Sequence, residues 1–272
     1  MPTTLNLHSV PVRARARTST RSRLTPLTCL VLTSLLTCLP ASASIFSLTN
    51  FADAFVTTGP SGNLSANNYG GAGGLAISAP GSPQGQFQSV LKFDFSSAKA
   101  NFDSLYGAGQ WSPQSISLQL TATAPNNGIF NSNRLGQFTI SLMQDSSWTE
   151  GTGTPQAPSL TGINFSSVSN FVNVGDISLG TFTFGGGNSG TFTYNLNLDP
   201  TLANDLLNGG SISLRMYAAD ANVSYLFDSR SFGTGSARPQ LLIDVPEPGA
   251  AALTVTGIAF LFGRRLRGRK RA

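Results

Sequence analysis

Apolar and polar side chains alternate strictly in several stretches of this chain, and that pattern limits the fold more than any other feature. In "SISLQLTAT" the side chains of Ile116, Leu118 and Leu120 point one way, while Ser117 and Gln119 point the other. "QFTISLM" repeats this with Phe138, Ile140 and Leu142. "TFTYNLNL" does so with Phe192, Tyr194, Leu196 and Leu198, and "SISLRMY" with Ile212, Leu214 and Met216. A period of two suits a strand with one face on a core and one in water. "LKFDF", "LGTFTF" and "PQLLIDV" predict three more strands, and "DAFVTT" and "LAIS" two weaker ones. One segment, "DPTLANDLLNGG", reads as a helix, capped by Asp199, with Pro200 in its first turn and Gly209 as its stop. About nine short strands without alternating helices predict an all-β fold: an antiparallel β-sandwich, jelly-roll-like.

Charge is segregated. Of 17 Lys and Arg, five lie in the first 23 residues and six in the last nine, so six remain in the middle against 12 acids between Asp53 and Glu247. The basic pI therefore belongs to the ends, and the acidic middle lacks the basic face that nucleic-acid binding needs. Cys29, Cys38 and His8, the only cysteines and histidine, all precede Ala41. Without that segment the domain has no disulfide, no Cys/His zinc site and no Ser-His-Asp or Cys-His machinery.

The N-terminus is Arg-rich and acid-free, then apolar from about Leu24 to Leu39, then small. This is the three-part pattern of a Sec signal peptide over 1–43, its helix removed by signal peptidase at Ala41-Ser42-Ala43. The domain expected is 44–245. Beyond it, 249–263 is a short apolar transmembrane helix of about 22 Å, against a hydrocarbon core of about 30 Å. The basic tail 264–272 should stay on the cytoplasmic side.

Val245-Pro246-Glu247-Pro248, a short apolar span and then Arg264-Arg265 resemble the PEP-CTERM sorting signal of Gram-negative bacteria, over 246–272. The resemblance implies processing by an exosortase and delivery to the cell surface or an exopolysaccharide matrix, with only transient residence in the membrane. In the body, "DAFVTTG", "VLKFDFSS", "SSWTEGTGT" and "FDSRSFGTGSARPQLLIDV" resemble the DNRLRE domain, a sandwich module of secreted proteins, although Ser231 stands where that family usually has Glu.

Within the domain, Trp148 beside polar neighbours is the candidate sugar platform. Asp145 and Glu150, which flank it, are the pair a glycosidase would need. No cofactor is expected. A structural calcium, which takes several oxygen ligands and tolerates irregular loops, is the metal candidate, with Asp53, Asp94, Asp220 and Asp228 as candidate ligands. Arg230 is expected to pair with Asp228 or another acid. The expectation is a non-enzymatic structural or adhesive surface protein, with a carbohydrate-binding module or a polysaccharide-active enzyme as the alternative.

Overall fold

Every strand pairing among the described residues is antiparallel. The computed structural model describes residues 43–122, 128–130, 132–172, 175–233 and 235–246. Among them the strands are β1 (Ala43–Thr49), β2 (Ala52–Thr57), β3 (Gly74–Ser78), β4 (Phe87–Asp94), β5 (Ser115–Ala122), β6 (Leu135–Met143), β7 (Ile177–Gly185), β8 (Gly190–Leu196), β9 (Ser211–Ala218), β10 (Ser224–Asp228) and β11 (Gln240–Pro246). The helices are α1 (Ser96–Tyr106), α2 (Phe165–Phe171) and α3 (Pro200–Asn208).

The strands follow the path β1-β11-β5-β10-β3-β4-β9-β6-β7, with β8 added to β5 and β2 to β4. Two links in that path are one residue wide, Phe227 opposite Ala122 and Ser78 opposite Phe87, so the sheet curls there rather than running flat. Curling turns the apolar face of each strand inward. Leu91 and Phe93 of β4, Ile116 and Leu118 of β5, Phe138 and Ile140 of β6, and Leu241 and Ile243 of β11 share one core. Each such side chain contributes about 1.5–3 kcal/mol when fully buried. Phe102 of α1 and Leu202 and Leu206 of α3 join that core.

The nine expected strands are all present, and α3 begins and ends as its sequence predicts. Asp199 accepts a hydrogen bond from the Thr201 N–H, and Gly209 adopts a left-handed conformation. Four elements were not expected. The start of α1 is marked only indirectly: its N-cap is Phe95, with no side-chain cap, and the first N–H, that of Ser96, is held by Asp94 one residue before the cap. In α2 the capping box is Asn164 with Ser167, where a sequence reading looks for Glu or Gln at the third position. β10 is only five residues long. β1 straddles the predicted leader junction, which hid its alternation of inward Phe46 and Leu48 with outward Ile45, Ser47 and Thr49.

No helix among the described residues is long and apolar enough to cross a membrane. The predicted leader up to Ser42 and the predicted span 249–263 lie outside the described residues.

Candidate functional site

The two predicted processing points meet in the fold. β1 pairs with β11 in a register that sets Ala43 opposite Pro246 and Ser44 opposite Val245. Val245 is buried, whereas Pro246 ends the strand exposed to solvent. Val245 and Pro246 are extended as the last residues of β11. Ala41, Glu247, Pro248, Arg264 and Arg265 lie outside the described residues.

The polar residues of the domain's four quoted motifs converge on a different place, the outer side of β2 and β4 beneath segment 144–172. Trp148 is not on the surface, as the sequence suggested: it is 2% exposed. Its indole Nε1 donates to Ser213 Oγ (2.8 Å), and the Lys92 ammonium lies 4.5 Å from its ring centroid. Lys92 Nζ also donates to the Trp148 carbonyl (2.5 Å). A ring covered in this way has no face to offer a sugar, and the misreading has a simple cause: polar neighbours in sequence need not be solvent in space. Burial lowers the Lys92 pKa, opposed by the charges of Asp145 and Glu150.

Beside the tryptophan, Arg230 finds its acid in Glu150 rather than Asp228. Its Nη2 donates to Glu150 Oε2 (2.5 Å) and its Nε to Oε1 (3.3 Å), a two-pronged pairing. Glu150 Oε1 also accepts the Asp53 N–H (2.9 Å). Asp53 Oδ2 in turn accepts the Arg230 N–H (2.7 Å) and the Asn50 side-chain amide (2.6 Å). Three pieces of chain distant in sequence are thus tied at one point: β2, the segment after Trp148, and the turn after β10. Asp53 Oδ1 and Asn50 Oδ1 have no hydrogen-bond partner among the described residues. The Asp53 pKa is pushed up to about 6 by burial and further by the Glu150 charge, against the lowering effect of its two hydrogen bonds and of Arg230.

Asn68, which sequence reasoning missed, completes the tie. Its Nδ2 donates to the carbonyls of Glu150 (2.6 Å) and Ile163 (2.7 Å), and its Oδ1 accepts the N–H groups of Gly70 (3.1 Å) and Gly153 (3.2 Å). The backbone approach demands glycine: a Cβ on Gly153 would stand 1.9 Å from the Asn68 carbonyl oxygen. The visible signal was "TEGTGT", whose glycines mark a place where two backbones run close.

The calcium candidates are not brought together. Among the described residues no three of Asp, Glu, His and Cys gather as a metal-binding group. Asp53 sits in the tie above. Asp94 accepts the Ser96 N–H (2.9 Å), and Asp220 accepts the N–H groups of Gln137 (2.7 Å) and Asn222 (2.8 Å). Asp228 lines an apolar groove of about 590 Å³ whose walls include Phe55, Tyr69, Phe87 and Phe130. The proposed hydrolytic pair is separately engaged. Asp145 accepts the Ser147 N–H (2.7 Å), which with the Ser147 hydroxyl lowers its pKa, and Glu150 holds Arg230.

The opposite outer surface, formed by β1, β11, β5 and β8, carries a regular array of short polar side chains. Register places Thr49, Gln240, Gln119 and Thr193 in one rank and Ser47, Leu242, Ser117 and Asn195 in the next. Within the ranks Ser117 donates to Asn195 (2.9 Å) and Gln119 to Thr193 (3.5 Å), and between them Ser47 donates to Gln240 (2.6 Å). Ser47, Thr49, Thr193 and Asn195 are exposed.

Compared with protein-family models and with curated proteins, the chain finds no match in either.

Proposed function

We propose that this chain is a secreted, non-enzymatic structural or adhesive protein of the cell surface or exopolysaccharide matrix, exported by the Sec route and trimmed by signal peptidase and an exosortase. On this reading the curled sheet is a jelly-roll-like sandwich related to the DNRLRE module. The membrane holds the protein only briefly, through 249–263.

What supports it, beyond the ordered tail of Pro246-Glu247-Pro248, apolar span and basic end, is the pairing of Ala43 with Pro246. Both addresses leave the domain at the same point. A domain hung from one end can fold outside the membrane while either span is still attached, and lose both without disturbing its core. A structural role is supported by the work given to its reactive side chains: Glu150, Arg230, Asp53 and Lys92 fasten one segment of chain to the sheet. The intact mass of the protein recovered from the host tests the reading. The expected species starts near Ser44 and lacks Arg264–Ala272, and a mature protein that retains those residues refutes the processing. Deleting Pro246–Ala272 should move the domain from the surface to the medium.

A further inference from the structure

The sheet surface of β1, β11, β5 and β8 presents mainly short uncharged polar side chains, in a domain whose few charges are net acidic. Between Asp53 and Asp244 the chain carries eleven acids and six bases. This face has one of them, Asp244, at the end where it pairs with Ser115 and Ile45. Apart from Ile45 and Leu242 its remaining groups are hydroxyls and amides, which donate and accept hydrogen bonds alike. They are spaced about 4.8 Å between strands and about 6.8 Å along them. Leu242, half-buried at the centre, offers an apolar spot to C–H groups.

We propose that this face binds neutral polysaccharide, laying extended sugar chains across the ranks around Gln119, Thr193 and Asn195. Charge decides the class of partner. An anionic polymer meets no cation here, and a cationic one would find most of the domain's acids elsewhere. A neutral glycan matches a surface of mixed donors and acceptors, with Leu242 under its C–H face. This deepens the matrix reading above and rests on it.

The test uses the full chain, purified with its leader and tail in mild detergent, and three insoluble probes: a neutral β-glucan, anionic alginate gel and cationic chitosan. Retention is expected on the glucan, unchanged between about 0.05 and about 0.5 M sodium chloride, because no ion pair is there to be screened. The double variant Gln119→Asp with Thr193→Asp should lower retention roughly tenfold, about 1.4 kcal/mol. If that variant melts early, Thr193→Ala alone should lower retention about two- to threefold. Equal retention of parent and variants overturns the proposal, as does retention on alginate or chitosan but not glucan, or on none. Self-association abolished by the same variants, without glucan retention, assigns the face to a second copy and also overturns it. A protein that is exported and trimmed but ignores glucan sinks this inference and leaves the sorting reading intact. Glucan binding by the purified chain, together with a host-recovered mature protein that keeps Arg264–Ala272, does the reverse.

Discussion

The two outer surfaces of this sheet have been finished in opposite ways. On one, β2 and β4 are buried on both faces: Ala52, Ala54, Val56 and Val90 point away from the main core, and segment 144–172 packs over them with Trp148, Ile163 and Val168. On the other, β1, β5, β8 and β11 turn mostly short polar side chains outward, with Ile45 and the half-buried Leu242 the apolar exceptions. A strand that alternates can leave one face in water, whereas a strand that does not must find a second layer. That second layer brings buried polar groups with it, and these account for the concentration of ionisable residues at the Asp53–Glu150–Arg230 tie. The covered face should therefore be fragile to substitution and the bare face tolerant.

The largest break expected is Trp148→Ala. It empties a buried indole site and releases both the Ser213 hydrogen bond and the Lys92 contact, for a loss of about 3–5 kcal/mol. Urea unfolding measures it. Limited proteolysis should then cut within 144–172 before the rest of the domain, because the cover rather than the core has lost its anchor.

Glu150→Ala comes next. It deprives the Asp53 N–H and the Arg230 guanidinium of their acceptor, at about 2–3 kcal/mol. The estimate stays below that for a fully buried pair because the Arg230 side chain is 34% exposed and solvent can take part of its charge. Asn68→Ala should cost about as much, since two carbonyls and two N–H groups lose one shared partner. The measurement for both is the shift in urea midpoint at constant slope.

The pH dependence sharpens the same contrast. The Asp53 pKa is near 3.8 in the unfolded chain and about 6 when folded, so the folded state binds the proton more tightly. The stability this represents is fully present below about pH 4 and is lost as pH rises through about 6, by at most about 3 kcal/mol. Asp103 and Asp145 work in the other sense. Hydrogen bonds from Lys99 and Trp111 in one case, and from Ser147 in the other, lower their pKa values, so their contribution fades as pH falls below the ordinary carboxylate range. Between pH 4 and 6 Asp53 shares this slope with Asp176 and Asp205, whose burial also raises their pKa values. Unfolding free energies at pH 4.5 and 7 should therefore differ more in the parent than in Asp53→Asn. A parent with no such slope would show that the carboxylate is better solvated than its burial implies.

The bare half of the molecule was the legible half. Alternation in "SISLQLTAT", "TFTYNLNL" and "PQLLIDV" reports directly which side chains face the core, so β5, β8 and β11 could be read with their outward residues. α3 was readable because cap, proline and terminal glycine are all local signals. The covered half depends on contacts that no local pattern encodes. Glu150 lies 80 residues from Arg230, and Asn68 lies 82 from the Glu150 carbonyl it holds. Trp148 was misplaced for the same reason: Ser147, Thr149 and Glu150 look like a surface until Lys92 and Ser213 close over the ring. What sequence did offer was the adjacent apolar pairs Phe55-Val56 in "FVTT" and Val90-Leu91 in "SVLKF", which break alternation where a strand is covered on both sides.

The smallest effect should come from Thr191→Val on the bare face. Thr191 and Thr121 lie opposite each other with their hydroxyls 3.3 Å apart at an exposed position. Removing one hydroxyl costs a cross-strand hydrogen bond, but water can satisfy the other, and valine favours a strand as well as threonine does. The change should stay within about 0.5 kcal/mol. Its value lies in the comparison with Trp148→Ala, because the two substitutions probe the two outer surfaces by the same urea midpoint. If Thr191→Val instead costs more than about 2 kcal/mol, its hydroxyl is shielded from water and some further part of the protein, or a second copy of it, covers this face. A neutral result keeps the face open, as the proposed polysaccharide contact requires.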